Sequence, residues 1–366
     1  MTKRLEVVYR LTLARGESAQ SKAHDIALEQ TAELPRELVS DSVMQRMVGC
    51  VESVTPAGRF RYIARISYPV ESVGPDFTQC LNVLFGNISL KRGIRIVDIH
   101  WPNRLLETFG GPGYGITGVR RLTGIENRPL LATALKPMGL RSEQLARLCR
   151  DFALGGLDIV KDDHGLADQA SAPFRERVAY CQAAISAANR ETGGHTLYFP
   201  NVTAAPWELA ERTRHAKQAG CLGVLVNPWL TGLDSMRWIR DRFSMIVMAH
   251  PALTGAYLHP SHGIAGELLL GDLFRIAGAD AVIYPNVGGR FGFSRALCEK
   301  INQRLRQPLG ELAASFPTPG GGMSADRAAD WAKRYGPDTI FLIGGSLYGQ
   351  GDLIAASRRL KQAING

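Results

Sequence analysis

Residues 130–164 read LLATALKPMGLRSEQLARLCRDFALGGLDIVKDDH, in which two short apolar runs flank an amphipathic stretch. The runs Leu130–Leu135 and Asp158–Asp162 have the length and apolar character of buried strands, and the spacing in Ser142–Leu154 predicts a helix between them. A strand, a helix and a second strand of this size are typical of a βαβ unit.

Similar short apolar runs follow at regular intervals along the rest of the chain. The further strand candidates are Thr196–Asn201, Gly223–Asn227, Met245–His250, Ala281–Pro285, Ala313–Pro317 and Thr339–Ile343. Amphipathic stretches lie between them, for example Trp207–Ala219 and Asp326–Tyr335. Eight such units in about 240 residues predict a (β/α)8 TIM barrel, with a doubly wound sheet as the alternative.

The N-terminal part of the chain has a different pattern. Strands are expected at Leu5–Leu13, Arg59–Val70 and Ile94–Trp101, and helices at Ser18–Gln30 and Phe77–Phe85. The glycine-rich stretch 108–118, TFGGPGYGITG, is interpreted as a linker. The sequence therefore predicts a ferredoxin-like α+β domain over residues 1–117, followed by the barrel over residues 118–366.

Composition and charge argue against several classes of protein. The chain is 45% hydrophobic but has no apolar run long enough to span a membrane, and residues 1–15 lack the apolar stretch of a signal peptide. Its six cysteines are scattered without a C-x-x-C pair, which suits a reducing cytoplasm. The net charge of +9 comes from dispersed basic residues, which favours an anionic small-molecule substrate over nucleic acid. We therefore expect a cytoplasmic protein that binds neither membranes nor nucleic acid.

In a barrel of this kind the active site lies at the carboxyl ends of the strands. Glycine-rich turns follow the last two predicted strands and contain Gly321, Gly322, Gly344 and Gly345. Such turns let backbone N–H groups approach an anion closely. Each turn alone has a tight loop as its alternative explanation, but two of them on adjacent strands predict a phosphate-binding site.

The second predicted strand ends in Lys161, Asp162, Asp163 and His164. Side-chain alternation places Lys161 and Asp163 on one side of the strand, with His164 just beyond them at the mouth of the barrel. One interpretation is an internal ion pair between the lysine and the carboxylates. The other is a lysine carbamylated by CO2, which becomes an anionic oxygen ligand for Mg2+ beside Asp163. Because Mg2+ prefers oxygen, the imidazole of His164 would be an unusual third ligand.

Two of these segments carry a family resemblance. Leu135–Leu140, which reads LKPMGL, and Gly155–Asp163, which reads GGLDIVKDD, resemble the two signature strands of the RuBisCO large-chain superfamily. Further segments that match in order are Ala27–Thr31, Gly86–Asn87, Met248–His250, Gly320–Gly322 and Gly344–Gly345. The resemblance covers nearly the whole chain, and its ordered matches on the expected strands make it specific.

The resemblance implies an enzyme that enolises a ketose phosphate at a Mg2+ site. Carbamylated Lys161 and Asp163 would hold the metal, and His164 stands where the family has a third ligand, a glutamate. Lys136 would be the acid/base that moves protons on the enediolate. Together with Lys161 and His250 it forms the set of candidate catalytic residues.

The resemblance also implies a homodimer with shared active sites. Its two subunits would run antiparallel. Glu29 and Asn87 match N-terminal segments that reach the active site of the other subunit in the family. Both residues are therefore expected to contact the phosphorylated substrate across the dimer.

Several departures from the family pattern indicate the non-carboxylating, RuBisCO-like branch. Met138 replaces a second lysine after the first strand. The loop Asn286–Phe291 offers Arg290 but lacks the lysine that steers CO2 in true carboxylases. A true ribulose-bisphosphate carboxylase is therefore a disfavoured alternative.

A second group of departures concerns the substrate. Pro251, Tyr284 and Gly320 stand where the family has the Arg, His and Ser that bind the second phosphate of a bisphosphate sugar. A substrate with one phosphate and one less polar end fits better. We therefore predict isomerisation of 5-methylthioribulose-1-phosphate, in methionine salvage and methylthioadenosine metabolism.

Three alternatives stay open within this resemblance. One is enolisation of 2,3-diketo-5-methylthiopentyl-1-phosphate. Another is decarboxylation or transcarboxylation of a branched oxo-acid phosphate from apiose breakdown. The third is a non-catalytic homologue, against which the presence of Lys136, Lys161 and Asp163 argues.

Overall fold

The computed structural model describes residues 4–365, which cluster into two compact units. The first unit contains the chain up to Gly110 together with Leu253–Leu269 and Leu309–Leu312. The second unit contains Gly111–Ala252, Leu270–Pro308 and the chain from Ala313 onward.

The strands and helices alternate along most of the chain. The strands are β1 (Arg4–Thr12), β2 (Cys50–Pro56), β3 (Arg61–Pro69), β4 (Ile94–His100), β5 (Leu130–Leu135), β6 (Ile159–Asp162), β7 (Leu197–Phe199), β8 (Gly223–Val226), β9 (Ile246–Ala249), β10 (Gly263–Ile264), β11 (Ala281–Pro285), β12 (Phe316–Gly320) and β13 (Ile340–Leu342). The helices are α1 (Ala19–Glu29), α2 (Asp41–Met47), α3 (Val70–Val73), α4 (Phe77–Phe85), α5 (Asn103–Phe109), α6 (Gly115–Thr123), α7 (Ser142–Leu154), α8 (Phe174–Thr192), α9 (Pro206–Gln218), α10 (Pro228–Thr231), α11 (Asp234–Phe243), α12 (Phe274–Ile276), α13 (Arg295–Arg306), α14 (Ala328–Tyr335), α15 (Gly345–Tyr348) and α16 (Leu353–Asn365).

The first unit is built on a five-stranded sheet in the order β10-β4-β1-β3-β2. Strands β1 to β4 pair antiparallel, and β10 adds to β4 in parallel. The order of β1 to β4 and their connections through α1 and α4 are ferredoxin-like, as predicted. Strand β2 was not predicted, because it is an edge strand with no fully buried side chain and therefore shows no apolar alternation.

The second unit is the predicted eight-stranded barrel. Its strands pair in parallel in the order β7-β6-β5-β13-β12-β11-β9-β8. The ring closes just beyond β7, where Leu225 N donates to Pro200 O at 2.9 Å and Val202 N donates to Leu225 O at 3.0 Å. A closed ring of parallel strands confirms the TIM barrel and excludes the doubly wound sheet.

The seventh barrel strand lies three residues later than predicted, at Phe316–Gly320 instead of 313–317. Proline lacks the N–H group that a central strand donates, so a strand that continues past Pro317 is not expected from the sequence. In the structure, pairing with β11 continues through Pro317 and Pro319 to Gly320. The strand therefore places Gly321 and Gly322 directly after its last residue.

The glycine-rich stretch 108–118 is not a simple linker, because helix α6 begins at Gly115. Asp280 holds the start of this helix: its Oδ1 accepts from the backbone N–H groups of Tyr114 and Gly115, each at 2.7 Å. The φ angle of Gly115 is +57°, and a Cβ there would come within 2.8 Å of Ala313. Val119 of α6 then packs into the core formed by the inward side chains of the barrel strands. The glycines thus allow α6 to pack against this core.

Two expectations from composition can be compared with the fold. No helix in residues 4–365 is long and apolar enough to cross a membrane. All six cysteines are free, and five of them are buried while Cys50 is exposed.

Candidate active site

At the end of β6, Asp162 lies on one face of the strand, and Lys161 and Asp163 lie on the other, as side-chain alternation predicts. Asp162 points away from the barrel axis, where its carboxylate accepts from Tyr198 Oη at 2.7 Å and from Arg177 Nε at 3.2 Å. Lys161 and Asp163 are on the other face. Asp162 therefore anchors β6 to the layer of helices, and only its two neighbours belong to the candidate site.

Asp163 is the centre of the cluster. Lys136 Nζ lies 2.6 Å from its Oδ1, and His164 Nδ1 lies 3.3 Å from its Oδ2. Burial alone would raise the pKa of Asp163, but hydrogen bonds from His164 and Lys136 and the charge of Lys161 outweigh burial and hold that pKa well below its usual range. The carboxylate is therefore ionised at neutral pH.

Lys161 is only 2% exposed, and its Nζ donates to the carbonyl of Asp162 at 3.0 Å. Within residues 4–365 Lys161 forms no salt bridge. One interpretation of the sequence was an ion pair between Lys161 and the neighbouring carboxylates, but in the structure it is Lys136 that pairs with Asp163. Burial lowers the pKa of Lys161 to about 8, an effect that the charge of Asp163 opposes and that of Lys136 strengthens. A fraction of this amine is therefore uncharged near neutral pH.

His250 follows β9 and packs against His164, with the two rings parallel. Burial lowers the pKa of His250 well below its usual range, and the positive charges of Lys161 and His164 add to this effect. Its Nδ1 accepts from the backbone N–H of Ala252 at 3.2 Å. The neutral ring therefore carries its proton on Nε2.

Backbone geometry requires glycine in the first candidate phosphate-binding turn but not in the second. Gly322 has a φ of +70°, and a Cβ there would lie 2.8 Å from Gly289, so backbone conformation and packing both require glycine. Gly321 also has a positive φ, of +76°. Gly344 and Gly345 have neither constraint, because a Cβ at either position would meet nothing within 4 Å. The space beside these two glycines is open to a ligand.

One residue that the sequence assigned to the substrate pocket lies elsewhere. Tyr284 is fully buried, and its hydroxyl donates to Asn302 Oδ1 of α13 at 2.5 Å. It therefore points into the layer between β11 and α13, and its neighbour Ile283 is the one that joins the core of the barrel. Tyr284 thus contributes nothing to the polarity of the substrate pocket.

Glu29 and Asn87 lie together in the first unit, as a shared role requires. Asn87 Nδ2 donates to Glu29 Oε1 at 3.2 Å. Lys91, which the sequence did not single out, places its Nζ 3.1 Å from Glu29 Oε2 and 2.7 Å from Asp25 Oδ2. Hydrogen bonds from Lys91 and Asn87 lower the pKa of Glu29, so this surface presents an ionised carboxylate.

Tyr348 was not predicted from the sequence. Its hydroxyl accepts from the backbone N–H of Lys136, which lies 212 residues earlier in the chain, and no local pattern connects the two residues. The structure thus brings together Lys136, Lys161, Asp163, His164 and His250 in the second unit. Among residues 4–365 no group of three or more His, Cys, Asp or Glu side chains is placed to hold a metal ion. The metal and catalytic roles of these residues stay predictions.

Proteins of known name match almost the whole chain. Residues 115–365 match the catalytic domain of the ribulose bisphosphate carboxylase large chain. A 5-methylthioribulose-1-phosphate isomerase from Rhodospirillum rubrum is 42% identical over 350 residues, which cover 95% of this chain and 92% of that protein. A 2,3-diketo-5-methylthiopentyl-1-phosphate enolase from Geobacillus kaustophilus is 34% identical over 313 residues, 83% of this chain and 75% of that protein.

Solved structures agree with these matches. The RuBisCO-like protein from Rhodopseudomonas palustris superposes with a TM-score of 0.90 at 37% identity, covering 100% of this chain and 98% of that one. A dimeric archaeal RuBisCO from Hyperthermus butylicus superposes with a TM-score of 0.91 at 26% identity, covering 99% of this chain and 90% of that one.

Proposed function

The chain belongs to the RuBisCO large-chain family, and from this premise we propose that it isomerises 5-methylthioribulose-1-phosphate. The observation that carries the proposal is the 2.6 Å contact of Lys136 Nζ with Asp163 Oδ1, close to the buried Lys161. It joins the expected acid/base to the carboxylate expected to bind the metal. The name of the relative from Rhodospirillum rubrum supports this choice of substrate.

We further propose that the cofactors are Mg2+ and a CO2-derived carbamate on Lys161. The lowered pKa of Lys161 supports this, because a neutral amine is the form that reacts with CO2. The carbamate and Asp163 would give two anionic oxygen groups, and Mg2+ is commonly bound by one or two carboxylates plus substrate oxygens. The donor set therefore fits Mg2+ on condition that Lys161 is carbamylated. His164 is a poor candidate for the third ligand, because it offers nitrogen and its Nδ1 faces Asp163.

The protein's own residues would move the protons of the isomerisation. Lys136, whose side chain is 43% exposed, would take a proton from a carbon beside the ketone and return one to the product. His250 would donate a hydrogen bond from Nε2 to a substrate oxygen. When bound, Mg2+ would supply a Lewis acid that stabilises the developing negative charge of the enolate.

One phosphate would bind at the turns after β12 and β13. Backbone N–H groups and the open space at Gly344 and Gly345 support this position. At the other end of the substrate, Pro251 and Gly320 offer no charge to a second phosphate. A thioether fits such an end better than a phosphate does.

We also propose a homodimer in which Glu29 and Asn87 contribute to the site of the other subunit. The ionised Glu29, its contact with Asn87 and the dimeric relative from Hyperthermus butylicus support this arrangement. The partner subunit would then supply one carboxylate and one amide to each active site.

A second candidate is enolisation of 2,3-diketo-5-methylthiopentyl-1-phosphate. It is favoured by the relative from Geobacillus kaustophilus that carries this name. The same residues would serve, since both reactions begin with removal of a proton next to a carbonyl group. The two candidates therefore differ in substrate and not in the first chemical step.

The proposal is tested by incubating the protein with 5-methylthioribulose-1-phosphate, Mg2+ and bicarbonate in D2O. NMR should show that the carbonyl moves or that a neighbouring carbon gains deuterium, and labelled CO2 should not be fixed into ribulose-1,5-bisphosphate. Lys136→Met should lower the rate about 10²–10⁴-fold, because it removes a general acid/base at similar volume. Lys361→Met on α16 is the matched control and should keep the full rate. Turnover of the diketo substrate alone would favour the second candidate, and release of CO2 from a branched oxo-acid phosphate would overturn both.

A further inference from the structure

Tyr348 contacts the main chain on either side of the point where Lys136 leaves β5. Its hydroxyl donates to Ala134 O at 3.0 Å and accepts from the N–H of Lys136 at 3.0 Å. We infer that Tyr348 is a positioning residue for Lys136. This inference rests on the proposed function, in which Lys136 moves the substrate proton.

The Tyr348 hydroxyl lies beside the end of β5, beyond the last residue of β5 that pairs with β13. Strand β13 pairs with β5 as far as Ala132, whose carbonyl accepts from Ile343 N at 2.9 Å. Main-chain groups on one edge of a strand recur every two residues, so the next acceptor on this edge is Ala134 O and the donor that follows it is Lys136 N. Strand β13 ends at Leu342, and within residues 4–365 no other strand pairs with these groups. A hydroxyl both donates and accepts, so Tyr348 replaces the peptide group that would have followed.

Other contacts of Tyr348 keep its ring in place independently of the hydroxyl. The ring packs edge-on against Phe152 of α7, with centroids 5.5 Å apart. Burial raises the pKa of the Tyr348 hydroxyl, which keeps its proton available for the bond to Ala134. Replacement by phenylalanine therefore removes the two hydrogen bonds and leaves the packing.

The position of Tyr348 links the two ends of the proposed substrate site. It is the last residue of α15, the helical turn that begins at Gly345 beside the candidate phosphate position. Through its hydroxyl this turn is tied to the backbone of Lys136, whose Nζ reaches Asp163. Displacement of a reacting group by about 1 Å can lower a rate 10²-fold, so a small shift at the end of β5 affects catalysis.

The test compares Tyr348→Phe with Tyr114→Phe, which also removes a hydroxyl that donates to a main-chain carbonyl, Ser244 O at 2.9 Å. Amide hydrogen exchange at Lys136 and steady-state kinetics with 5-methylthioribulose-1-phosphate are measured for both. Tyr348→Phe should speed exchange at Lys136 about tenfold and lower kcat about tenfold, with KM within about twofold. Tyr114→Phe should change neither. Adding Tyr348→Phe to Lys136→Met should lower the rate no further, because both changes act through one residue.

Each result decides the question. Unchanged exchange at Lys136, an unchanged kcat, or an additional loss in the Lys136→Met background overturns the inference. A fall in melting temperature with faster exchange throughout the second unit assigns Tyr348 a general structural role and also overturns it. If the wild-type protein does not turn over the substrate, the proposed function fails, and exchange at Lys136 alone then decides whether Tyr348 holds that residue.

Discussion

The imidazole rings of His164 and His250 lie parallel, with their centroids 4.3 Å apart and their planes at 5°. His164 follows β6 and His250 follows β9, two strands that β7 and β8 separate around the barrel. The contact therefore spans the carboxyl ends of four strands. Burial lowers the pKa of His250 well below its usual range, so the ring of His250 in this contact is a neutral imidazole.

Replacement of His164 by glutamate is expected to tighten Mg2+ binding about tenfold, because it places an anionic oxygen donor next to Asp163. Isothermal titration with Mg2+ in bicarbonate buffer measures the change. His164→Gln is the control, since it has the length of glutamate without the charge. Equal affinities in the wild type and both variants would show that residue 164 does not contact the metal.

Carbamylation of Lys161 predicts a new carbonyl signal in the 13C NMR spectrum of the protein equilibrated with 13C-bicarbonate and Mg2+. Because the pKa of Lys161 is lowered to about 8, the neutral amine and hence the signal should increase as the pH rises from 7 to 9. Lys161→Met should abolish the signal, whereas Lys136→Met should retain it. A spectrum that is the same for both variants would leave Lys161 as an unmodified amine.

Shared active sites predict complementation between two inactive proteins. Asn87→Ala removes a residue supplied to the other subunit, and Lys161→Ala removes one from the barrel. After subunit exchange, a hybrid dimer would contain one intact site, so mixing should restore activity up to about a quarter of the wild-type level for random pairing. Exchange is verified by mass spectrometry of differently tagged subunits. Verified hybrids without activity would contradict the shared site.

Replacement of Asp280 is expected to lower the stability of the protein strongly, although this residue lies outside the candidate active site. Its carboxylate accepts from the backbone of Tyr114, Gly115 and, at 2.8 Å, Val247. Asp280→Asn turns one acceptor into a donor that faces a backbone N–H, which should lower the free energy of unfolding by about 2 kcal/mol or more at pH 7. Urea unfolding measures this loss. Asp330→Asn, at an exposed position of α14, should leave stability unchanged.

Asp280 should also make the free energy of unfolding depend on pH. Burial raises the pKa of Asp280 from 3.8 to about 6, against the opposing effect of its three backbone donors. Between pH 4 and 6 the folded protein keeps a proton that the unfolded chain releases, so this contribution to stability falls by about 3 kcal/mol as the pH rises. Asparagine does not titrate. The stability advantage of the wild type over Asp280→Asn should therefore shrink from pH 4 to pH 7, and a constant difference would refute the shift.

The sequence by itself determined the barrel, the α+β character of the first unit and the side of β6 on which Lys161 and Asp163 lie. These features follow from local patterns: buried strands are short apolar runs, and side chains alternate along a strand. Where local patterns conflict with packing, prediction failed. Strand β2 is exposed and shows no apolar pattern. Strand β12 contains prolines, which are unusual in a central strand, and the sequence therefore did not indicate that it continues to Gly320.

Only the tertiary structure decided which groups meet. Lys136 and not Lys161 pairs with Asp163, Tyr284 points into the helix layer, and Tyr348 holds a backbone amide 212 residues before it in the chain. The physical reason is the range of the interactions. Hydrogen bonds and ion pairs act over about 3–4 Å, so their partners depend on how distant segments pack, whereas apolar periodicity is present in a dozen consecutive residues.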